Sequence, residues 1–392
     1  MTLDVVDARV VTPTGVLEPG WVRLTPTGIE ATGRGAPPPG PGPRLDADGG
    51  WALPGFIDLH VHGAVGSDAG DADVDGLLAI AGLLARHGVT RWLPTVASAP
   101  PDATRAAVTA IARAAAAQGD AGAGGARIAG ANLEGPFLSP AQCGAQDPDA
   151  LRPICLDELA ALLASGVVRC MTLAPELVGA EQAIARLRAA GAIAAIGHTA
   201  ASYADTRAAI ASGAGLATHL CNAMPPWHHR APGPVGAVLA DPALPAELIV
   251  DGVHLHPGAV AALFEALGAD RVCLVSDALA PTGCPPDAPS TPGSTRFGPH
   301  HIFRRDGALW REDGGLAGST LTLDRALHHL RAATGAALAA CWPATSRTPA
   351  RVLGTPQPAH LAPGGLADLV VLAADGTVRA TVIAGVQVHP AP

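Results

Sequence analysis

Seven side chains able to bind a metal ion or carry a proton stand at the ends of short apolar runs. They are His60 and His62 in GFIDLHVH, Glu134 in NLEGPF, His198 in GHT, His219 in THLCNA, His254 in DGVHL and Asp277 in VSDA. Residues two apart on a strand point to the same face, so His60 and His62 can turn both imidazoles towards one ion. Glu134, His198 and His219 add two neutral nitrogens and a carboxylate, a set that suits a divalent ion with one open position. An ion held there acidifies a water molecule, and a carboxylate beside it, Asp277, can take the proton and return it to a departing amine. Singly, each residue has a plainer role. The HxH pair reads as a solvated strand end, Glu134 as a helix-initiating carboxylate, each lone histidine as a core residue and Asp277 as a turn cap. Their convergence on the ends of six predicted strands favours one shared site. Arg230, in the loop CNAMPPWHHRAPG, has the chemistry to hold a phosphate, whereas His228 and His229 read as exposed loop residues.

The elements that must position these groups follow from the apolar pattern. Eight strand candidates, at 55–62, 90–96, 127–135, 167–175, 192–199, 216–223, 247–255 and 271–278, alternate with helical runs such as VDGLLAIAGLLARHG and ATRAAVTAIARAAAAQ. Buried strands alternating with helices predict an α/β fold, here a TIM (β/α)8 barrel over 54–355, whose catalytic groups project from the C-terminal strand ends. Residues 1–53 and 356–392 carry short strands split by turn signals, which predicts a small β-sandwich built from both termini. APPPGPGP at 36–43 is a surface loop, and 281–315 reads as a long loop over the site, ahead of a helix in STLTLDRALHHL.

Composition narrows the function. Hydrophobic residues make up 48% and charged residues 15% of 392, enough for a large core, and no apolar run reaches membrane-spanning length. The start, MTLDVVDARVV, has no signal-peptide pattern, and seven scattered cysteines without a CxxC pair suit a reducing compartment, so a cytoplasmic enzyme is expected. A net charge of -9 argues against nucleic acid but is compatible with a small phosphorylated ligand. All 25 basic residues are arginine. With no lysine there is no Schiff-base chemistry and no carboxylated lysine to bridge two metals.

Taken in order, PGFIDLHVHG, NLEGPF, GHT, THLCNAMPP, DGVHL, VSDALAPTG and LAGSTLTLDRAL resemble the N-acetylglucosamine-6-phosphate deacetylases of the amidohydrolase superfamily, from about Leu53 to Leu330. The resemblance implies removal of an acetyl group from a phosphorylated amino sugar. It assigns the metal to Glu134, His198 and His219, and acid/base work to Asp277. His254 would polarise the acetyl carbonyl or orient substrate. Asn222, Ala223 and Arg230 would address the sugar phosphate, Ala145 and Gln146 would face the sugar or acetyl group, and Leu316, Ala317 and Gly318 would line the sugar pocket. Gln146 stands where many relatives carry a histidine. Retention of His60 and His62 implies one or two divalent ions, Zn2+ foremost and otherwise Fe2+, Mn2+ or Co2+, with Glu134 as the bridge. The resemblance also implies a homodimer, with part of the phosphate site supplied by a neighbouring subunit. Two other readings stand beside it: the same chemistry on an epimer such as N-acetylgalactosamine 6-phosphate, and a non-catalytic metal-binding scaffold.

Overall fold

A computed structural model describes residues 2–119, 124–285, 296–355 and 360–390. Eight parallel strands form the barrel: Phe56–Val61, Val89–Ala97, Ala131–Glu134, Val168–Leu173, Ile193–Ile196, Leu216–Ala217, Ala246–Ile249 and Val272–Val275, here the first to eighth barrel strands. Six lie inside the predicted segments, while the second strand overruns 90–96 by one residue at each end and the seventh starts one residue before 247. A parallel bridge between Val61 and Ala278 joins the last strand to the first, and His62 N–H donates to the Ala278 carbonyl at 2.9 Å. A helix follows each strand: Val74–Arg86, Pro101–Gln118, Leu156–Leu163, Ala180–Ala189, Tyr203–Ser212, Gly233–Ala240, Pro257–Leu267 and Leu323–Thr334. Their limits follow local chemistry. Pro101 opens the second helix, a Ser202–Asp205 capping box starts the fifth, and Gly335, at φ 69°, ends the eighth.

The termini build the second module. Leu3–Thr12, Gly15–Thr25, Gly28–Arg34, Arg44–Asp46 and Trp51–Pro54 join Leu369–Leu372, Val378–Ile383 and Val386–His389 in one hydrogen-bonded sheet. Val5, Val10, Val22, Leu24, Leu369 and Val382 lie in a core separate from that of the barrel. In Gly15–Thr25, Val22 and Leu24 are buried while Arg23 and Thr25 are only partly so, the alternation of a strand with one face turned inward.

The region 281–315 departs from its reading as a loop. Residues 286–295 lie outside the described residues, but beyond them Arg296–Phe297, His300–Arg305, Ala308–Arg311 and Leu316–Ser319 form a four-stranded antiparallel sheet. Asp306 and Gly307, at φ 53° and 84°, make its central turn, the conformation that Asp-Gly favours between paired strands. Its last strand, Leu316–Ser319, takes the first residue of the run read as the following helix, which starts only at Leu323. An Ala278–Ser319 bridge splices this sheet onto the end of the eighth barrel strand.

The two modules share a buried charge cluster. Asp368, 1% exposed, pairs with Arg127 and with Arg91 Nε at 3.4 Å, both from the barrel, while Ala384 N–H donates to its other oxygen at 2.9 Å. Burial and the Arg127 charge pull Arg91 below its usual pKa, so the shared carboxylate compensates two guanidiniums. Removing one partner of such a cluster strands the charge of the others. Asp368→Ala is expected to lower the unfolding free energy by about 3–5 kcal/mol, read from urea midpoints, whereas an exposed aspartate such as Asp149 should be near neutral on substitution.

Candidate active site

The barrel seam and the polar cluster are built from the same residues. His60 closes into the first strand, and its carbonyl accepts from Asp277 N–H at 2.9 Å across the seam. His198, His219 and Asp277 each stand two positions beyond their strand, with φ of 48°, 24° and 48°. A left-handed residue ends the extended run and turns its side chain off the strand line. For a non-glycine residue that conformation costs about 1 kcal/mol or more, which packing around it must offset. Below His198, Gly197 is required by crowding. A Cβ there would meet the side chains of Thr218 and Thr172, which hydrogen-bond each other at 2.9 Å.

Glu134, 3% exposed at the end of the third strand, is the hub. Its Oε1 lies 2.8 Å from His219 Nε2, 3.0 Å from His198 Nε2 and 3.5 Å from His60 Nε2. Its Oε2 lies 3.1 Å from His62 Nε2 and accepts from the Gln146 amide. His60 and His62 bring their Nε2 atoms to 3.2 Å, and Asp277 Oδ1 is 3.5 Å from each. Two ligand groups therefore share Glu134: His60–His62–Glu134 and Glu134–His198–His219, each with its donor atoms within 4.8 Å of one another.

This donor set fits a divalent ion. Four imidazoles and one carboxylate converge in a buried volume, and no arginine lies among them. Burial pushes the Glu134 carboxyl up, but His198 and His60, with hydrogen bonds from His198 and His219, outweigh it and hold Glu134 well below the usual range. Burial likewise pulls His60 and His198 down, while Glu134, joined at His60 by Glu247, raises both above the usual imidazole value. Each group is thus tuned to stay with an opposite charge, which a cation among the nitrogens would supply in place of protons.

The outer contacts decide which nitrogen faces the centre. His198 Nδ1 is 3.0 Å from the Gln142 carbonyl, and His60 Nδ1 is 3.1 Å from Glu247 Oε2. Gln142 and Gln146 belong to one loop, which Gly144 (φ 60°) lets pass close over His198; a Cβ there would sit 3.0 Å from His198 Cε1. Asp58, fully buried beneath the HxH pair, accepts from His60 N–H, and burial pushes its pKa up to about 7.

A cavity of about 320 Å3 opens onto the cluster. Ala145, Gln146, Asn222, Ala223, His254, Leu316, Ala317 and Gly318 all line it, together with Asp277 and the ligand residues His62, Glu134, His198 and His219. Arg230 does not. It is exposed, seven positions beyond Ala223 on the same loop, with Nη1 2.9 Å from His229 Nε2. His228 and His229 are exposed, as read. His254 engages Asp251 through Nδ1 at 2.7 Å, and Asp251 also accepts from the backbone N–H of Val253 and His254. That leaves His254 Nε2 for the cavity.

Several residues escaped the sequence reading. Asp251 and Glu247 support ligand-side histidines, while Arg311 and Phe297 enter the cavity wall from the inserted sheet. Phe297 stacks edge-on against His62 with ring centroids 5.0 Å apart. Glu247 was detectable as a carboxylate within an otherwise apolar barrel strand, and Asp251 as an acid three residues before His254.

A buried metal-ligand cluster at the C-terminal mouth of a (β/α)8 barrel, flanked by a terminal β module, defines a metal-dependent hydrolase class, and residues 51–388 match the Amidohydrolase family. The chain belongs to that family. It is 35% identical to an N-acetylglucosamine-6-phosphate deacetylase of Vibrio furnissii over 336 residues, 85% of this chain and 82% of that one. It is 36% identical to an N-acetylgalactosamine-6-phosphate deacetylase of Escherichia coli O157:H7 over 322 residues, 81% and 82% of the two chains. Among solved structures, an aspartate-to-alanine mutant of N-acetyl-D-glucosamine-6-phosphate deacetylase from Mycobacterium smegmatis, in complex with N-acetyl-D-glucosamine-6-phosphate, matches with a TM-score of 0.89 and 36% identity over 99% of each chain. The family implies a divalent metal, and the two ligand groups described above suit one. Among the described residues, no helix is long and apolar enough to cross a membrane.

Gln146 tests how the loop supports the hub. Its amide donates to Glu134, and its carbonyl accepts from the buried Ser98 N–H at 2.7 Å. Gln146→Ala would leave that N–H without an acceptor, and chemical denaturation should show a loss of about 1–3 kcal/mol.

Proposed function

We propose that this protein hydrolyses N-acetylglucosamine 6-phosphate to glucosamine 6-phosphate and acetate. The observation that carries the reading is the Glu134-centred cluster at the floor of a cavity whose wall holds both Asp277 and His254. Relatives that share about a third of its residues over most of their length bear that activity in their names. One observation favours a second substrate, the galacto epimer: a relative of equal similarity is named for N-acetylgalactosamine 6-phosphate.

His60, His62, Glu134, His198 and His219 would hold one or two divalent ions, Zn2+ first and otherwise Fe2+, Mn2+ or Co2+, with Glu134 shared between two. Bound there, the ion supplies Lewis acidity and lowers the pKa of water. Asp277 is the proton carrier. Its Oδ1 stands at the inner edge of the cavity, 3.5 Å from both HxH imidazoles, where it takes the proton released as water oxygen adds to the acetyl carbon. It then delivers that proton to the sugar nitrogen as the C–N bond breaks, so the amine departs neutral, and the new carboxyl, which keeps the second proton of the water, releases it to solvent to become acetate. His254, with Nδ1 tied to Asp251, presents Nε2 to the acetyl oxygen or an adjoining hydroxyl. Ala145, Gln146, Asn222, Ala223, Leu316, Ala317 and Gly318 form the sugar-facing wall. Arg230 holds the phosphate, and its position outside the cavity lining is consistent with a site completed across a homodimer. Such an enzyme would work in the cytoplasm.

Amine release from a panel of N-acetylglucosamine, N-acetylglucosamine 6-phosphate and N-acetylgalactosamine 6-phosphate tests the substrate. The phosphorylated gluco sugar is expected to lead; a faster galacto sugar would transfer the assignment to the second reading, and no turnover on any would return the chain to a metal-binding scaffold. In the same assay Arg230→Ala should cost about 2–4 kcal/mol in transition-state binding of the phosphorylated substrate, with little change on the unphosphorylated one.

Mutant kinetics test the proton carrier. Asp277→Asn should keep fold, metal and substrate affinity while kcat falls by about three orders of magnitude or more. His254→Asn should be milder and act partly through KM. A normal kcat in the first with a dead second would reverse the two roles.

A further inference from the structure

We propose that Glu247 is a positioning residue that makes the His60–His62–Glu134 group able to hold its own divalent ion; this rests on the two-ion reading of the cluster. Glu247 sits in the seventh barrel strand between Ala246 and Leu248, and is 1% exposed. A carboxyl group in that position is costly unless something offsets it. Its Oε2 faces two donors: His60 Nδ1 at 3.1 Å and the His219 backbone N–H at 3.3 Å.

Three consequences follow from that placement. The first concerns the tautomer. His60 and His62 bring their Nε2 atoms to 3.2 Å, so a proton on either would bond to the other and seal the pair against an ion. An acceptor behind His60 Nδ1 draws the His60 proton to the outer nitrogen and leaves the Nε2 lone pair facing inward.

The second is selectivity between the two groups. Among the ligand imidazoles, His198 has only a neutral carbonyl behind Nδ1, that of Gln142. The buried Nδ1 atoms of His62 and His219 have no partner among the described residues. Among the described residues Glu247 is therefore the one carboxylate bonded to the outer nitrogen of a ligand imidazole, and that imidazole belongs to the HxH half; its contact at His219 is to the backbone alone.

The third is charge. Glu134 and Asp277 together roughly balance one divalent ion in this buried site. A second ion close by needs more negative charge in contact with its ligands, and Glu247 supplies it.

The test is a Zn2+ titration against a competing chelator, with elemental analysis, on the full-length protein and on Glu247→Gln and Glu247→Leu. The carboxamide oxygen of Gln can still accept from both donors, so only charge is lost, whereas Leu removes the acceptor. The expected order for the weaker-held ion is wild type, then Gln about tenfold weaker, then Leu about a hundredfold weaker, with the other ion changed by less than about threefold. Thermal unfolding of the metal-free proteins checks the fold; if the Leu variant does not fold, the selective loss in the Gln variant decides. Wild-type loading of both ions in the variants overturns the proposal, as does equal weakening of both ions, which marks a role in the barrel itself. A wild-type protein that never exceeds one ion overturns the two-ion reading and this inference with it.

Discussion

The backbone bonds that close the barrel are also the bonds that assemble the site. Asp277 N–H donates to the His60 carbonyl, and His62 N–H donates to that of Ala278, each at 2.9 Å. Asp277 and both HxH imidazoles therefore belong to the two strands that are farthest apart in sequence and meet only when the ring is complete. Glu134, His198 and His219 come from three further strands. Ligand geometry and barrel geometry depend on the same few hydrogen bonds.

Concentrating charge in that place has a local cost that the surrounding structure offsets. His198, His219 and Asp277 hold left-handed backbone, and Gly144 and Gly197 permit close approaches that a Cβ would block. These are the contacts expected where a site is held against its own strain. The neighbouring elements are buried parallel strands on one side and, on the other, a loop tied down through Gln142 and Gln146. Arg311 adds a bond from the inserted sheet to the Gly144 carbonyl, so the loop is gripped from both sides.

Much of this was legible in the sequence. The ligand residues are chemically restricted types at the ends of apolar runs, so HVH, NLEG, GHT and THL disclosed both the strands and the direction in which they point. What escaped the reading was hidden for physical reasons. Glu247 lies within an apolar strand and does its work through a histidine that is distant in sequence. Arg311 reaches the cavity only because the stretch from Arg296 folds into a sheet, and the turn residues around it masked the alternation in HIFRRDGALWR, although Asp306-Gly307 was itself a hairpin signal. For Arg230 the charge was readable but the direction was not, since a loop's orientation is set by what packs against it.

The antiparallel sheet inserted after the eighth strand has a consequence for how such a site can diversify. Its Ser319 end is spliced to the barrel through Ala278, beside Asp277, and the Asp306–Gly307 turn lies at that same end, since Ala308 pairs with Ser319. The turn at the opposite end, 312–315, joins Arg311 to Leu316, and both of these line the cavity. Lengthening, shortening or exchanging the 312–315 turn would therefore reshape the rim that an incoming molecule meets while leaving the hydrolytic centre in register. The barrel serves as a fixed engine block and the hairpin as an interchangeable head, a division that lets recognition drift while chemistry stays put.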